Sequence, residues 1–135
     1  MSDPLIAAAL AARANAYAPY SRFTVGAALR TEEGAIFSGC NVENAAFPEG
    51  SCAEAGAIAA MALAGGRRIA EVVVAGDGDR PCSPCGGCRQ KIREFAAPAT
   101  PLRMVNAEGR MLLATTLAEL LPHFFGPGHL GGSPS

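Results

Sequence analysis

Clustered charge of one sign is missing from this chain: 11 Lys and Arg stand against 12 Asp and Glu, the net charge is −1, and no basic run occurs. Polyanions and anionic bilayer surfaces are gripped by clustered positive charge, so nucleic acid and membrane surfaces are excluded as partners. A small, nearly neutral ligand is expected instead. Also missing is an apolar run of the about 20 residues that span a bilayer. Residues 5–12, followed by Arg13-Ala14, could pass for a secretory leader, but Asp3 puts an acid where such a leader carries basic residues. The expected location is the cytoplasm. Histidine is scarce: His123 and His129 lie near the C-terminal end without evident partners. Internal repeats and linker-like stretches are absent. A disulfide framework is excluded too, because the five cysteines are odd in number and three of them crowd into residues 82–88. That pattern suits metal ligation in a reducing compartment.

What is present suffices for one hydrophobic core, since half of the 135 residues are apolar. Asp3 or Ser2 caps a first helix with Pro4 at its first position, running to about residue 16. Residues 23–29 read as a strand and 35–42 as its hairpin partner across the turn at 31–34. A loop at 44–50 leads to a helix over 52–64, stopped by Gly65-Gly66. The β-branched run 71–75 reads as a buried strand. A Cys-rich loop then opens a helix to about Phe95. Strands at 102–106 and 110–114 flank a Glu108-Gly109 turn, and Thr116 caps a short last helix. This order gives a single α/β domain over 1–125, a mixed sheet with helices on its faces, and residues 126–135 as a flexible tail. The 52–64 helix is rich in small residues and apolar nearly all round beyond Glu54, so it must be covered on more than one side, by the sheet and by another subunit.

The chemistry concentrates at two helix starts, Ser51-Cys52-Ala53-Glu54 and Pro81-Cys82-Ser83-Pro84-Cys85-Gly86-Gly87-Cys88. A thiolate at a helix N-terminus faces the positive end of the macrodipole and ionises more readily. The first piece also reads as a capping box, with Ser51 as N-cap and Glu54 reaching back. Spacing alone does not say which cysteines bind. Four thiolates, from Cys52, Cys82, Cys85 and Cys88, make a closed structural zinc site, whereas three leave a position for a reactive water. Glu54, two residues beyond a ligand, favours the open site, as a proton acceptor for that water. Pro84 in the first helical turn puts Cys85 and Cys88 on one helix and Cys82 outside it.

Cys52-Ala53-Glu54 with Pro84-Cys85-Gly86-Gly87-Cys88-Arg89-Gln90 resembles the paired signature of the zinc-dependent cytidine deaminases. The blocks at 17–28, 39–45 and Leu120-Leu121-Pro122 resemble their small homotetrameric type, and the likeness runs from about residue 5 to 125. It implies a three-layer α-β-α domain with a mixed five-stranded sheet. It also implies hydrolysis of cytidine and 2'-deoxycytidine to the uridines with release of ammonia, in pyrimidine salvage. Carried over, Cys52, Cys85 and Cys88 hold one Zn(2+) per subunit, Glu54 is the catalytic proton shuttle, and Cys82 is a bystander. Asn41 and Glu43 bind the ribose hydroxyls, Phe23 walls the base, Ala53 offers it a backbone group, and Phe125 reaches a neighbouring subunit's pocket. Cys40 is read as a buried small hydrophobe.

Two other readings remain: a deaminase of another aminopyrimidine nucleoside such as a nucleoside antibiotic, and a non-enzymatic four-Cys zinc domain. One position departs from the family pattern. Many tetrameric members carry Arg directly after Cys-Ala-Glu, where it hydrogen-bonds ligand thiolates; here that position is Ala55. Three thiolates around Zn(2+) leave a formal charge of −1. The offset is expected from two helix N-termini, about +0.5 charge each, and from Arg89 if its side chain turns back toward Cys88.

Overall fold

A computed structural model describes residues 3–132. Asp3 caps α1 (Pro4–Arg13): its carboxylate accepts the N–H groups of Leu5 at 2.9 Å and Ile6 at 3.3 Å, and Pro4 has no N–H left to satisfy. Ser2, the alternative cap, lies outside the described residues. The helix stops at Arg13, short of residue 16. The Arg13 guanidinium leaves it to donate to the Thr24 carbonyl and to pair with Asp77.

Five strands form one sheet in the order β2-β1-β3-β4-β5: β1 (Gly26–Thr31), β2 (Ile36–Cys40), β3 (Ile69–Ala75), β4 (Pro101–Val105) and β5 (Met111–Thr116). Only β3 and β4 run parallel among the neighbours; the other pairs are antiparallel. The sheet is mixed, as expected. β1 begins at Gly26 and not at Phe23 because a side chain intercepts the backbone there. The Asn41 amide accepts from Val25 N at 2.9 Å and donates to Phe23 O at 2.8 Å.

Side chains alternate across the sheet with the two-residue period of a strand. Ala28, Val73, Ala75 and Val105 point to one face and pack with Leu5 and Ala9 of α1. Ala27, Leu29, Val72, Val74, Leu102 and Met104 point to the other, where they meet α2 (Ala53–Leu63) through Ala57, Ile58 and Met61, and α3 (Gly86–Phe95) through Ile92. The layers are therefore α1, the sheet, then α2 with α3, while α4 (Leu117–Leu120) follows directly from β5. Gly39 sets how closely α2 lies on β2. A Cβ there would sit 2.5 Å from Ala57 N and 2.6 Å from Ala53 O, so only a bare backbone admits the first turn of α2.

α2 ends at Leu63 with Gly65 in the left-handed region at φ 93. Its Ala59 and Leu63 stay exposed in the single chain, Leu63 at 90%. Residues Pro127–Leu130 form a 3-10 turn. There His129 does have partners: Nδ1 accepts the Gly126 N–H at 3.1 Å and the ring stacks on Phe125 at 4.7 Å. No helix among the described residues is long and apolar enough to cross a membrane.

Candidate metal centre

The start of α2 differs from the capping-box reading. Ser51 is not the N-cap; it is tied to Val42 by a pair of backbone bonds, Ser51 N to Val42 O at 2.9 Å and Val42 N to Ser51 O at 3.0 Å. That bridge moves the N-cap to Cys52, which makes no side-chain cap bond. Glu54 becomes the second helical residue, and its carboxyl is not used to reach back to Ser51. The start of α3 moves in the same sense. Pro84 precedes the helix, Cys85 is the N-cap, and Cys88 is the third helical residue. Both helices thus present a cysteine at the N-cap, where the chain is still extended.

From these positions the sulfurs of Cys52, Cys85 and Cys88 converge, all within 4.8 Å of one another, with Cys52 and Cys85 at 3.9 Å. A regular tetrahedron with Zn–S of about 2.3 Å has edges of about 3.8 Å. The donor set therefore fits zinc in kind and in spacing. Cys82 is not part of the cluster. It packs against the main core and against Gly76, where an added Cβ would lie 2.5 Å from its own Cβ, and burial pushes its thiol up to about 11. A fourth thiol displaced from the other three argues against the closed four-Cys site.

The cysteines differ in surroundings. The backbone N–H of Cys88, followed by its side chain and other neighbours, holds the Cys85 thiol below its ordinary value. Burial pushes Cys52 and Cys88 the other way. Arg89 does not turn back to Cys88. Its guanidinium donates to Pro84 O at 2.7 Å, Leu120 O at 2.6 Å and Ser83 Oγ at 3.1 Å, tying the Cys loop to the end of α4. Glu54 is 6% exposed, and burial raises its carboxyl above the usual range, opposed by its own backbone N–H, by Cys88 and by Lys91. A buried carboxyl beside the thiols suits proton exchange.

A cavity of about 330 Å³ opens beside the cluster. Asn41, Glu43, Ala53 and Glu54 line it with Cys52 and Cys85, bringing most of the expected site residues to one place. Val25, Val42, Phe47 and Ser51 line it too and were not singled out from the sequence. The loop at 44–50 gave one usable signal for these, the aromatic Phe47 among small and polar neighbours. Glu43 accepts Tyr20 N–H at 2.9 Å, Ser21 N–H at 3.1 Å and the Ser21 hydroxyl, and that hydroxyl holds its carboxyl below the usual range. Phe23 is not among the residues that line the cavity; its ring tip lies 3.6 Å from where a Gly76 Cβ would be. Phe125 lies elsewhere, 54% exposed, its carbonyl accepting from Gln90 Nε2 at 2.8 Å. Cys40 is half-buried, with Sγ 3.6 Å from Asn15 O.

A three-layer domain thus gathers three thiols and a buried carboxyl at two helix starts, a donor set that suits zinc. Residues 2–104 match the family model described as the cytidine and deoxycytidylate deaminase zinc-binding region, and the chain belongs to that family. A cytidine deaminase of Sporosarcina psychrophila is 44% identical over 123 residues, 91% of this chain and 90% of that protein. One of Halalkalibacterium halodurans is 40% identical over 121 residues, 90% of this chain and 91% of that protein. The crystal structure of cytidine deaminase from Burkholderia pseudomallei aligns with a TM-score of 0.85 at 44% identity, covering 93% of this chain and 100% of that one.

Proposed function

We propose that this chain deaminates free cytidine and 2'-deoxycytidine to uridine and 2'-deoxyuridine, releasing ammonia, as a cytoplasmic homotetrameric enzyme of pyrimidine salvage. The reading rests on one observation. Cys52 and Cys85 of the sulfur cluster and the buried Glu54 line the same cavity as Asn41 and Glu43. Cys52, Cys85 and Cys88 would hold one zinc per subunit. When bound, the metal supplies Lewis acidity that activates the attacking water.

The residues do the rest. Attack of an activated water on C4 of cytosine is the shared chemistry of zinc deaminases. Glu54 accepts a proton from the water as the C–O bond forms and passes it to the ring nitrogen. It then carries the second proton to the exocyclic amine, so the C–N bond breaks and ammonia leaves. A carboxyl kept from full hydration exchanges protons more readily in both directions. Asn41 has its amide oxygen engaged by Val25 and one N–H by Phe23, so it has a single N–H to offer a sugar hydroxyl. Glu43 accepts from the sugar and, being anionic, repels phosphate, which selects nucleoside over nucleotide. Phe23 walls the base and the Ala53 backbone meets its polar edge. Phe125 reaches the pocket of a neighbouring subunit, and the open Ala59 and Leu63 side of α2 fits burial between subunits.

Zinc-replete protein is expected to turn cytidine into uridine and ammonia, followed by the fall in ultraviolet absorbance, and to stop when a chelator removes the metal. Cytidine 5'-monophosphate is expected to be a poor substrate. Absence of uridine from cytidine in zinc-replete protein would overturn the reading.

A further inference from the structure

We infer that Asp77, held by Arg13, is a positioning residue for nucleoside binding, acting through Thr24 on the Asn41 amide. The inference rests on the nucleoside reading of the cavity. Residues 20–25 lead up to Val25 in the cavity wall just before β1, outside the regular ladder of the sheet, so their backbone polar groups need other partners. Side chains provide several of them, and Ser21 Oγ accepts the Phe23 N–H at 3.0 Å. Glu43 takes the N–H groups of Tyr20 and Ser21. Asn41 takes Phe23 O and Val25 N. Thr24, between these two atoms, falls to Asp77: Oδ2 accepts the Thr24 N–H at 3.0 Å and its hydroxyl at 3.3 Å. Arg13 closes the clamp from α1, donating Nε to Thr24 O at 3.2 Å and pairing with the other carboxylate oxygen of Asp77.

This segment is not held by its own geometry. Arg22 sits at φ 63, the left-handed region that a non-glycine residue keeps only where its surroundings impose it. The grips of Glu43 and Asp77 fall on either side of it. The anchor of Asp77 is firm on its own side, because it follows Gly76 at the end of β3. Gly76 N donates to Val105 O at 3.2 Å, and its bare Cα packs on Cys82 next to the Phe23 ring. Releasing Thr24 therefore frees both backbone atoms that orient the Asn41 amide. The one N–H that Asn41 can give to substrate loses its direction with them. Asp77 does not line the cavity, so its effect travels only through this chain of contacts.

The experiment compares Asp77→Ala and the milder Asp77→Asn with wild type, measuring kcat, KM for cytidine, bound zinc and amide exchange at Thr24. Arg30→Ala serves as control; it breaks the 2.8 Å ion pair of Arg30 with Glu71 away from the cavity. Asp77→Ala is expected to raise KM about tenfold with kcat within about twofold and zinc retained, the signature of lost binding and not of lost chemistry. Thr24 exchange should quicken, and Asp77→Asn should fall between. Adding Asp77→Ala to Asn41→Ala should raise KM little further, since the first acts through the second. An unchanged KM, a change matched by Arg30→Ala, or full additivity with Asn41→Ala overturns the inference. If Asp77→Ala does not fold, Asp77→Asn decides by the same KM criterion. A wild type inactive on cytidine removes the functional reading itself, which a normal wild type with an insensitive KM does not.

Discussion

Replacing Glu54 by Gln tests the proton-transfer step with little else disturbed. Gln keeps the volume and the hydrogen-bonding shape of the side chain, and at 6% exposure it removes an ionisable group from a site that resists charge. Folding should therefore survive, with a melting temperature at or above that of wild type. The sulfurs are untouched, so zinc content should stay at the wild-type level. General acid–base catalysis contributes about 10²–10⁴-fold, or about 3–5 kcal/mol at about 1.36 kcal/mol per tenfold. Glu54 handles more than one transfer in a turnover, so the loss in kcat is expected toward the upper end. Glu54→Asp withdraws the carboxylate by about one C–C bond, about 1.5 Å, and a misplacement of about 1 Å can cost about 10²-fold. The expected order is wild type, then Asp, then Gln. The assay is initial-rate absorbance under saturating cytidine, with zinc quantified in the same preparation. A Gln variant that holds zinc and keeps more than about a tenth of wild-type kcat refutes the role given to this carboxyl.

Cys82→Ser should retain zinc and activity, because Cys82 lies outside the sulfur cluster; loss of metal on this change, measured by elemental analysis, would restore the four-thiolate site. Gly39→Ala should cost several kcal/mol in denaturant unfolding, about the scale of overpacking or more, since the new Cβ meets backbone atoms of α2 that cannot swing away. Asp3→Ala should lower stability by about 1 kcal/mol through loss of the N-cap. Its pH dependence follows from the Arg103 hydrogen bond, which lowers the Asp3 carboxyl below 3.8. The stabilisation is complete above 3.8 and fades as pH falls through the lower folded value, so wild type and variant should converge in acid. Ala55→Arg should move the acid limb of kcat/KM by adding a cation beside Cys52; an unmoved limb argues that backbone dipoles already suffice.

The topology was legible because the strands stood out as apolar or β-branched runs between turn signals and helix starts carried signals such as Asp3-Pro4 or Thr116. The boundaries that shifted did so where a long-range partner outbid local propensity. Phe23 to Val25 has strand composition, but Asn41 occupies two of its backbone groups. Ser51 has N-cap chemistry, but Val42 claims its backbone from across the loop. Cysteine spacing pointed to both helix starts but left Cys82 open, and the structure gathers the sulfurs of Cys52, Cys85 and Cys88 without it. Asp77 read as a turn residue after β3, and nothing nearby in sequence reveals that Thr24 and Arg13 meet it. Phe47 stood out as an aromatic among small and polar neighbours, but its loop has no periodicity from which a place in the cavity wall could be read.

The two helix starts, similar in sequence, do not share the charge of the sulfur cluster equally. At Cys85 the backbone N–H groups of Cys88 and Gly87 favour the thiolate, as the open end of a helix should. At Cys52 burial dominates, and the nearby Cys85 and Glu54 add repulsion that only Cys88 opposes. With Ala55 offering no donor and Arg89 engaged with Pro84, Leu120 and Ser83, the support expected from two dipoles and an arginine comes mainly from one end of α3. Arg89 contributes differently. By fixing the Pro84 carbonyl it holds the loop that delivers Cys85 to its N-cap position, where those amides can reach the sulfur. Burial works against the thiolate at both Cys52 and Cys88, so the amides at the start of α3 favour Cys85 alone, while the helix of Cys52 carries Glu54. A zinc ion held by these sulfurs would take Cys52 from α2 and Cys85 with Cys88 from α3, and would supply Lewis acidity to a water beside Glu54 on α2.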